Sequence, residues 1–139
     1  LRNNLMRLSL AFAEKGDTIK AIEVLDLSIE KMPIKDFGHF SLSVEYPELY
    51  YRLKKQEKAR KAAETLYQIF KEKMVWLAEF PEDKTDWIFD EIRNNFLMFK
   101  SVVEQVDQFD SDKEYFQKMK NDFEETMKLF QRLFPEDEE

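Results

Sequence analysis

Three side chains in this sequence have types and spacing that reactive chemistry could use. His39 is the only histidine. An imidazole can move a proton or bind a metal near neutral pH, but only beside a carboxylate, a nucleophile or further ligands. Its neighbours Phe37, Gly38 and Phe40 supply none of these, so a half-buried turn residue is the expected role. Asp86 and Asp90 lie one helical turn apart and share a face. A hard cation wants about six or more oxygens, so two carboxylates make a weak site and a solvated face explains them more simply. The chain has no cysteine, which removes disulfides, thiolate zinc sites and iron–sulfur clusters. Glycine-rich phosphate loops, G-x-S-x-G and H-E-x-x-H are missing too. The sequence therefore points away from catalysis and implies no cofactor and no metal. A small enzyme with an unrecognised carboxylate site is the remaining catalytic alternative.

The elements that would carry these residues are helices. Apolar positions recur with a period near 3.6, and two glycines and four prolines leave little room for hairpins of strands. The 139 residues are enough for one domain with a real core. Charged residues make up 37% and hydrophobic ones 43%, a folded composition, and thirteen phenylalanines fit a packed interior. A net charge of −7 disfavours nucleic acid and anionic membrane surfaces, which need a clustered basic face. No apolar run reaches about 18 residues, so no direct membrane insertion is expected. The start at Leu1, in mid-pattern, reads as a fragment of a longer protein.

The stretch Asn3–Pro33 sets the architecture. Leu5, Leu8 and Phe12 form a stripe on a first helix, with Ser9 beside them. Ile19, Ile22, Leu25 and Ile29 form one on a second helix, with Ala21 and Ser28 as small residues. Gly16 can take a positive φ between the helices, Asp17 can cap the second, and Pro33 stops it. Ser9 and Ala21 are small where two antiparallel helices would cross. This pattern resembles a tetratricopeptide (TPR) repeat, with Leu5, Leu8, Ser9 and Phe12 on the first helix and Ala21, Leu25, Ser28 and Pro33 on the second.

Residues 34–46 break the helical pattern and predict an aromatic loop folded back on the helices through Phe37, Phe40, Leu42 and Tyr46. A second hairpin spans 47–80. Tyr50 corresponds to Phe12, and Lys58-Ala59 to Lys20-Ala21, at an offset of 38 residues. Pro47 predicts a short first helix. The second runs from Glu57 to about Glu79, with Ala59, Ala62, Ala63, Leu66, Ile69, Phe70, Met74 and Leu77 inward. A long C-terminal hairpin spans 84–134. Its first helix, 86–109, is capped by Asp83 or Thr85 and turns Trp87, Ile88, Ile92, Phe96, Phe99, Val103 and Val106 inward. Its second opens on a capping box from Ser111 to Glu114 and packs through Phe116, Met119, Phe123, Met127 and Phe130. Residues 135–139 are an acidic tail. Arg93-Asn94-Asn95 echoes Arg2-Asn3-Asn4, which marks either a diverged third hairpin or a coincidence. The expected fold class is all-α, with TPR-like antiparallel helical hairpins, about six helices, and two long C-terminal helices.

In a TPR-like array the first helices line a concave face. The resemblance nominates Asn3, Met6, Leu10, Ala13, Glu14, Val44, Glu48, Tyr51 and Arg52 as a surface for a protein or peptide. The competing expectation is that the C-terminal helices fill that concavity. RNNL, IEVLD, the MP stop, the aromatic loop, YPELYYRL and two long helices with an acidic end together resemble the soluble C-terminal region of a Bacteroidetes family. Its members are multi-spanning membrane proteins similar to glycosyltransferases of the protein O-mannosyltransferase type. That resemblance implies a non-catalytic docking tail, tethered on the outer (periplasmic) side of the cytoplasmic membrane. Its partner would be a polypeptide or the membrane region of its own parent chain. The alternative is a TPR-like adaptor of a soluble protein.

Overall fold

The computed structural model describes residues 1–36 and 40–131. Among them every regular element is helical. The helices are α1 (Arg2–Glu14), α2 (Thr18–Lys31), the four-residue α3 (Phe40–Ser43), α4 (Tyr46–Arg52), α5 (Gln56–Ala78), α6 (Thr85–Phe109) and α7 (Lys113–Met127). Short 3-10 turns cover Glu82–Lys84 and Lys128–Phe130. Phe37, Gly38, His39 and the acidic tail lie outside the described residues.

The first hairpin closes through the small residues the sequence nominates. Ser9 and Ala21 are both buried, and the Ser9 hydroxyl donates to the Ala21 carbonyl at 2.7 Å. Gly16 has φ +80°. Its N–H donates to Ala13 O at 3.0 Å, and that of Asp17 to Phe12 O at 2.9 Å. These are the two bonds of a Schellman turn, which needs a left-handed residue at that position. Asp17 then caps α2 by accepting from the Lys20 N–H.

The second hairpin repeats that turn without a glycine. Lys54 has φ +63°. Its N–H donates to Tyr51 O, and that of Lys55 to Tyr50 O, at 3.0 and 2.9 Å. The two turns match bond for bond at the 38-residue offset. Pro47 sits in the first turn of α4, which is indeed short at seven residues.

The long α5 is the central rod. Ala59, Ala62, Ala63, Leu66, Tyr67, Phe70, Met74 and Leu77 are buried along it. It packs against α4, α6 and α7. On α6 the buried set is Ile92, Asn95, Phe99, Val102, Val103 and Val106. Asn95 donates to Phe70 O of α5 at 2.9 Å, so a buried amide fixes the register of the two long helices.

Several expectations are corrected. Leu8 and Ile19 are exposed, because the buried stripe of α1 runs through Arg2, Met6 and Ser9, turned toward α2. Trp87 is 79% exposed rather than inward. The N-cap of α6 is Lys84 rather than Asp83 or Thr85, and its side chain makes no capping bond. Asp112, not Ser111, caps α7, accepting from the N–H groups of Glu114 and Tyr115. Ser111 is drawn away by Gln56. The Arg-Asn-Asn echo puts like letters on unlike faces: Arg2 is buried and Arg93 exposed, Asn4 exposed and Asn95 buried.

Candidate functional site

The nominated first-helix face divides into two parts. Of its α1 members, Asn3, Leu10 and Glu14 are exposed, Ala13 is half-buried, and Met6 is a core side chain. In the second hairpin the face is already occupied by the end of α6. The Gln105 side chain accepts from the Glu48 N–H at 2.9 Å and donates to Val44 O at 2.8 Å. Since α4 has no side-chain cap of its own, α6 supplies one from outside. Phe109 stacks on Tyr51 and lies beneath the Arg52 guanidinium. Tyr51 is buried, and its hydroxyl donates to Asp110 at 2.6 Å. Met6 and Tyr51 are therefore not groove-lining residues. Burial of apolar and aromatic surface between helices has claimed both.

Among the described residues a different concavity stands open. A cleft of about 600 Å³ lies between the second helices of the two hairpins. Ile29, Pro33, Ile34, Tyr50 and Ala62 give it apolar walls. Asp26, Glu30 and Asp36, with Lys35 among them, line one side, and Lys58, Lys61 and Thr65 line the α5 side. None of the nine nominated residues contributes to it. Asp26 joins three helices at its edge: it accepts from the Tyr50 hydroxyl of α4 at 2.7 Å and pairs with Lys58 of α5. Burial, then the bond to Asp26, push the Tyr50 hydroxyl pKa up, so it stays a donor. The cleft offers fixed charges and apolar surface, a combination suited to holding a side chain or a short segment.

The same tyrosine–carboxylate–cation arrangement recurs elsewhere. Asp110 accepts from Tyr51 and takes a two-point contact from Arg60 at 2.7 and 2.6 Å. Burial pushes its carboxyl up, but the hydrogen bonds from Arg60, Tyr51 and the Asp112 N–H outweigh that and hold it down at about 2. Asp122 accepts from Tyr67 and pairs with Lys71 at 2.9 Å, and its carboxyl is likewise lowered against burial. Tyr115 donates to Glu64, and Tyr46 bonds Ser28. All five tyrosine hydroxyls of the chain are thus cross-helix ties. The sequence held a signal for them: a buried phenol needs a partner, and five of them call for five polar residues on facing helices. Arg2 was also missed. It is buried and ties α1 to Ser43 Oγ and Met32 O at 2.7 and 3.1 Å.

Asp86 and Asp90 are exposed on the first turns of α6, with Asp90 3.9 Å from Arg93. No group of three or more acidic or histidine side chains poised for a metal occurs among the described residues. No family model, curated protein or solved structure matches this chain.

Proposed function

We propose that this chain is a non-catalytic docking domain that receives a segment of another polypeptide in the cleft between α2 and α5. The cleft carries this reading, with its apolar walls and its charged rims of both signs. A segment placing one or two apolar side chains there gains about 25 cal/mol per Å² of apolar surface buried. The rims would then orient it by matching charge. The layout resemblance supplies the setting: a multi-spanning, glycosyltransferase-like parent, with this domain on its outer side. The segment received is then part of the acceptor polypeptide or of the parent's membrane region. No helix among the described residues is long and apolar enough to cross a membrane, in keeping with a tethered rather than inserted domain.

The twin turns at Gly16 and Lys54 favour a second reading of the same cleft, a TPR-like adaptor in a soluble protein. One experiment addresses both. A photo-crosslinker at Lys61 in the full-length parent should capture one polypeptide. Thr65→Arg, which fills the cleft from α5, should cut that capture roughly tenfold with helicity unchanged. Capture of the parent's membrane region or of a glycosylation acceptor supports the tethered domain, and a soluble client supports the adaptor. Capture undiminished by Thr65→Arg removes the cleft as the docking site.

A further inference from the structure

The two tryptophans of the chain are both exposed, Trp76 near the end of α5 and Trp87 near the start of α6. Trp76 is 54% and Trp87 79% exposed. Lys73 of α5 pairs with Glu91 of α6 at 2.9 Å, which marks where the two helices lie level with each other. Trp76 is three residues beyond Lys73, and Trp87 is four residues before Glu91. Both indoles therefore sit about 5–6 Å further toward the turn that joins the helices. Val75 adds exposed apolar surface beside Trp76, and Phe80 packs edge-on against Trp76 with ring centres 5.0 Å apart.

This aromatic tip is set in negative charge. Residues 79–91 carry six carboxylates, Glu79, Glu82, Asp83, Asp86, Asp90 and Glu91; Lys84 beside Asp83, Lys73 beside Glu91 and Arg93 beside Asp90 offset part of that charge and leave the tip net negative. All six are exposed. Helix polarity favours Asp86, at the start of α6, but disfavours Glu79, at the end of α5. The tip also displays a cation–aromatic contact of its own: the Lys84 ammonium lies 4.3 Å from the Trp87 ring centre.

We propose that the tip of the α5–α6 hairpin docks a basic, amphipathic polypeptide segment. Its lysines or arginines meet the carboxylate ring and the indole faces, and its apolar side chains cover Trp76 and Trp87. This surface is separate from the cleft, about 16 Å along α5 from Thr65. The ring of carboxylates makes a polypeptide cation the fitting partner and an anionic lipid surface a poor one.

The chain reports on this site by itself, because its tryptophan fluorescence comes only from the tip. The probe is a synthetic amphipathic Lys/Leu peptide, with a Glu/Leu peptide of equal length as control. Saturable binding with a blue-shifted emission is expected for the Lys/Leu peptide alone, weakening as salt rises. The double change Asp86→Lys with Asp90→Lys should weaken it roughly tenfold or more, measured by calorimetry. Trp87→Ala should do the same, and neither change touches a buried side chain. Asp107→Lys, on an exposed position at the far end of α6, should leave it unaltered. Equal binding of the Glu/Leu peptide, equal weakening by Asp107→Lys, or a larger spectral shift on phospholipid vesicles than on the Lys/Leu peptide would each overturn the assignment.

Discussion

Replacing Asp110 by asparagine tests the electrostatic core of this fold. The carboxyl side chain has no solvent exposure and accepts from Tyr51, from two Arg60 nitrogens and from the Asp112 N–H. Its pKa stands at about 2, against an ordinary 3.8. That gap corresponds to about 2 kcal/mol of stability. The folded-state value is depressed, so this contribution is fully present above the ordinary pKa and is lost as pH falls through the folded one. Asp110→Asn keeps the shape and removes the charge. At pH 7 it should lower the unfolding free energy by about 2 kcal/mol or somewhat more, since Arg60 is left facing an amide. The deficit should shrink by about half near pH 3 and be almost gone near pH 2. Urea titrations of both proteins at each pH, read by circular dichroism, give the difference directly. A deficit below about 0.5 kcal/mol at pH 7, or one unchanged down to the acid end, would refute this account.

Lys54 occupies a left-handed position where its twin turn has Gly16, so Lys54→Gly should stabilise the chain by about 1 kcal/mol in the same denaturation assay. Gln105→Ala removes the cap that α6 lends to α4 and should cost about 1–2 kcal/mol, with the Glu48 amide losing hydrogen-exchange protection.

What could be read from the sequence was what is encoded locally. Gly16, Asp17, Ser9 and Ala21 lie within thirteen residues, and they specify a turn, a cap and a crossing that the structure contains. Pro47 announced the shortness of α4 in the same way. Periodicity gives the width of an apolar stripe, but its direction depends on the neighbours. Hence Leu8, Ile19 and Trp87 keep the helical period of an apolar stripe and yet lie outward. Ser111 and Asp112 are both good caps, and only the distant Gln56 decides between them. The cleft was illegible for a similar reason. It is assembled from Asp26, Ile34, Tyr50 and Thr65, residues of three helices and a connection, and no short motif spans them. The nominated first-helix face failed at Tyr51 because Phe109 and Asp110, far along the chain, claim it.

The loan of Gln105 to α4 orders events during synthesis. The first hairpin carries its own cap and turn. The opening of α4 waits for a side chain made 57 residues later, about 3–11 s at ordinary elongation rates of ~5–20 residues per second. Until then the Glu48 amide has only water for a partner, and the second hairpin gains its cap once the end of α6 has been made.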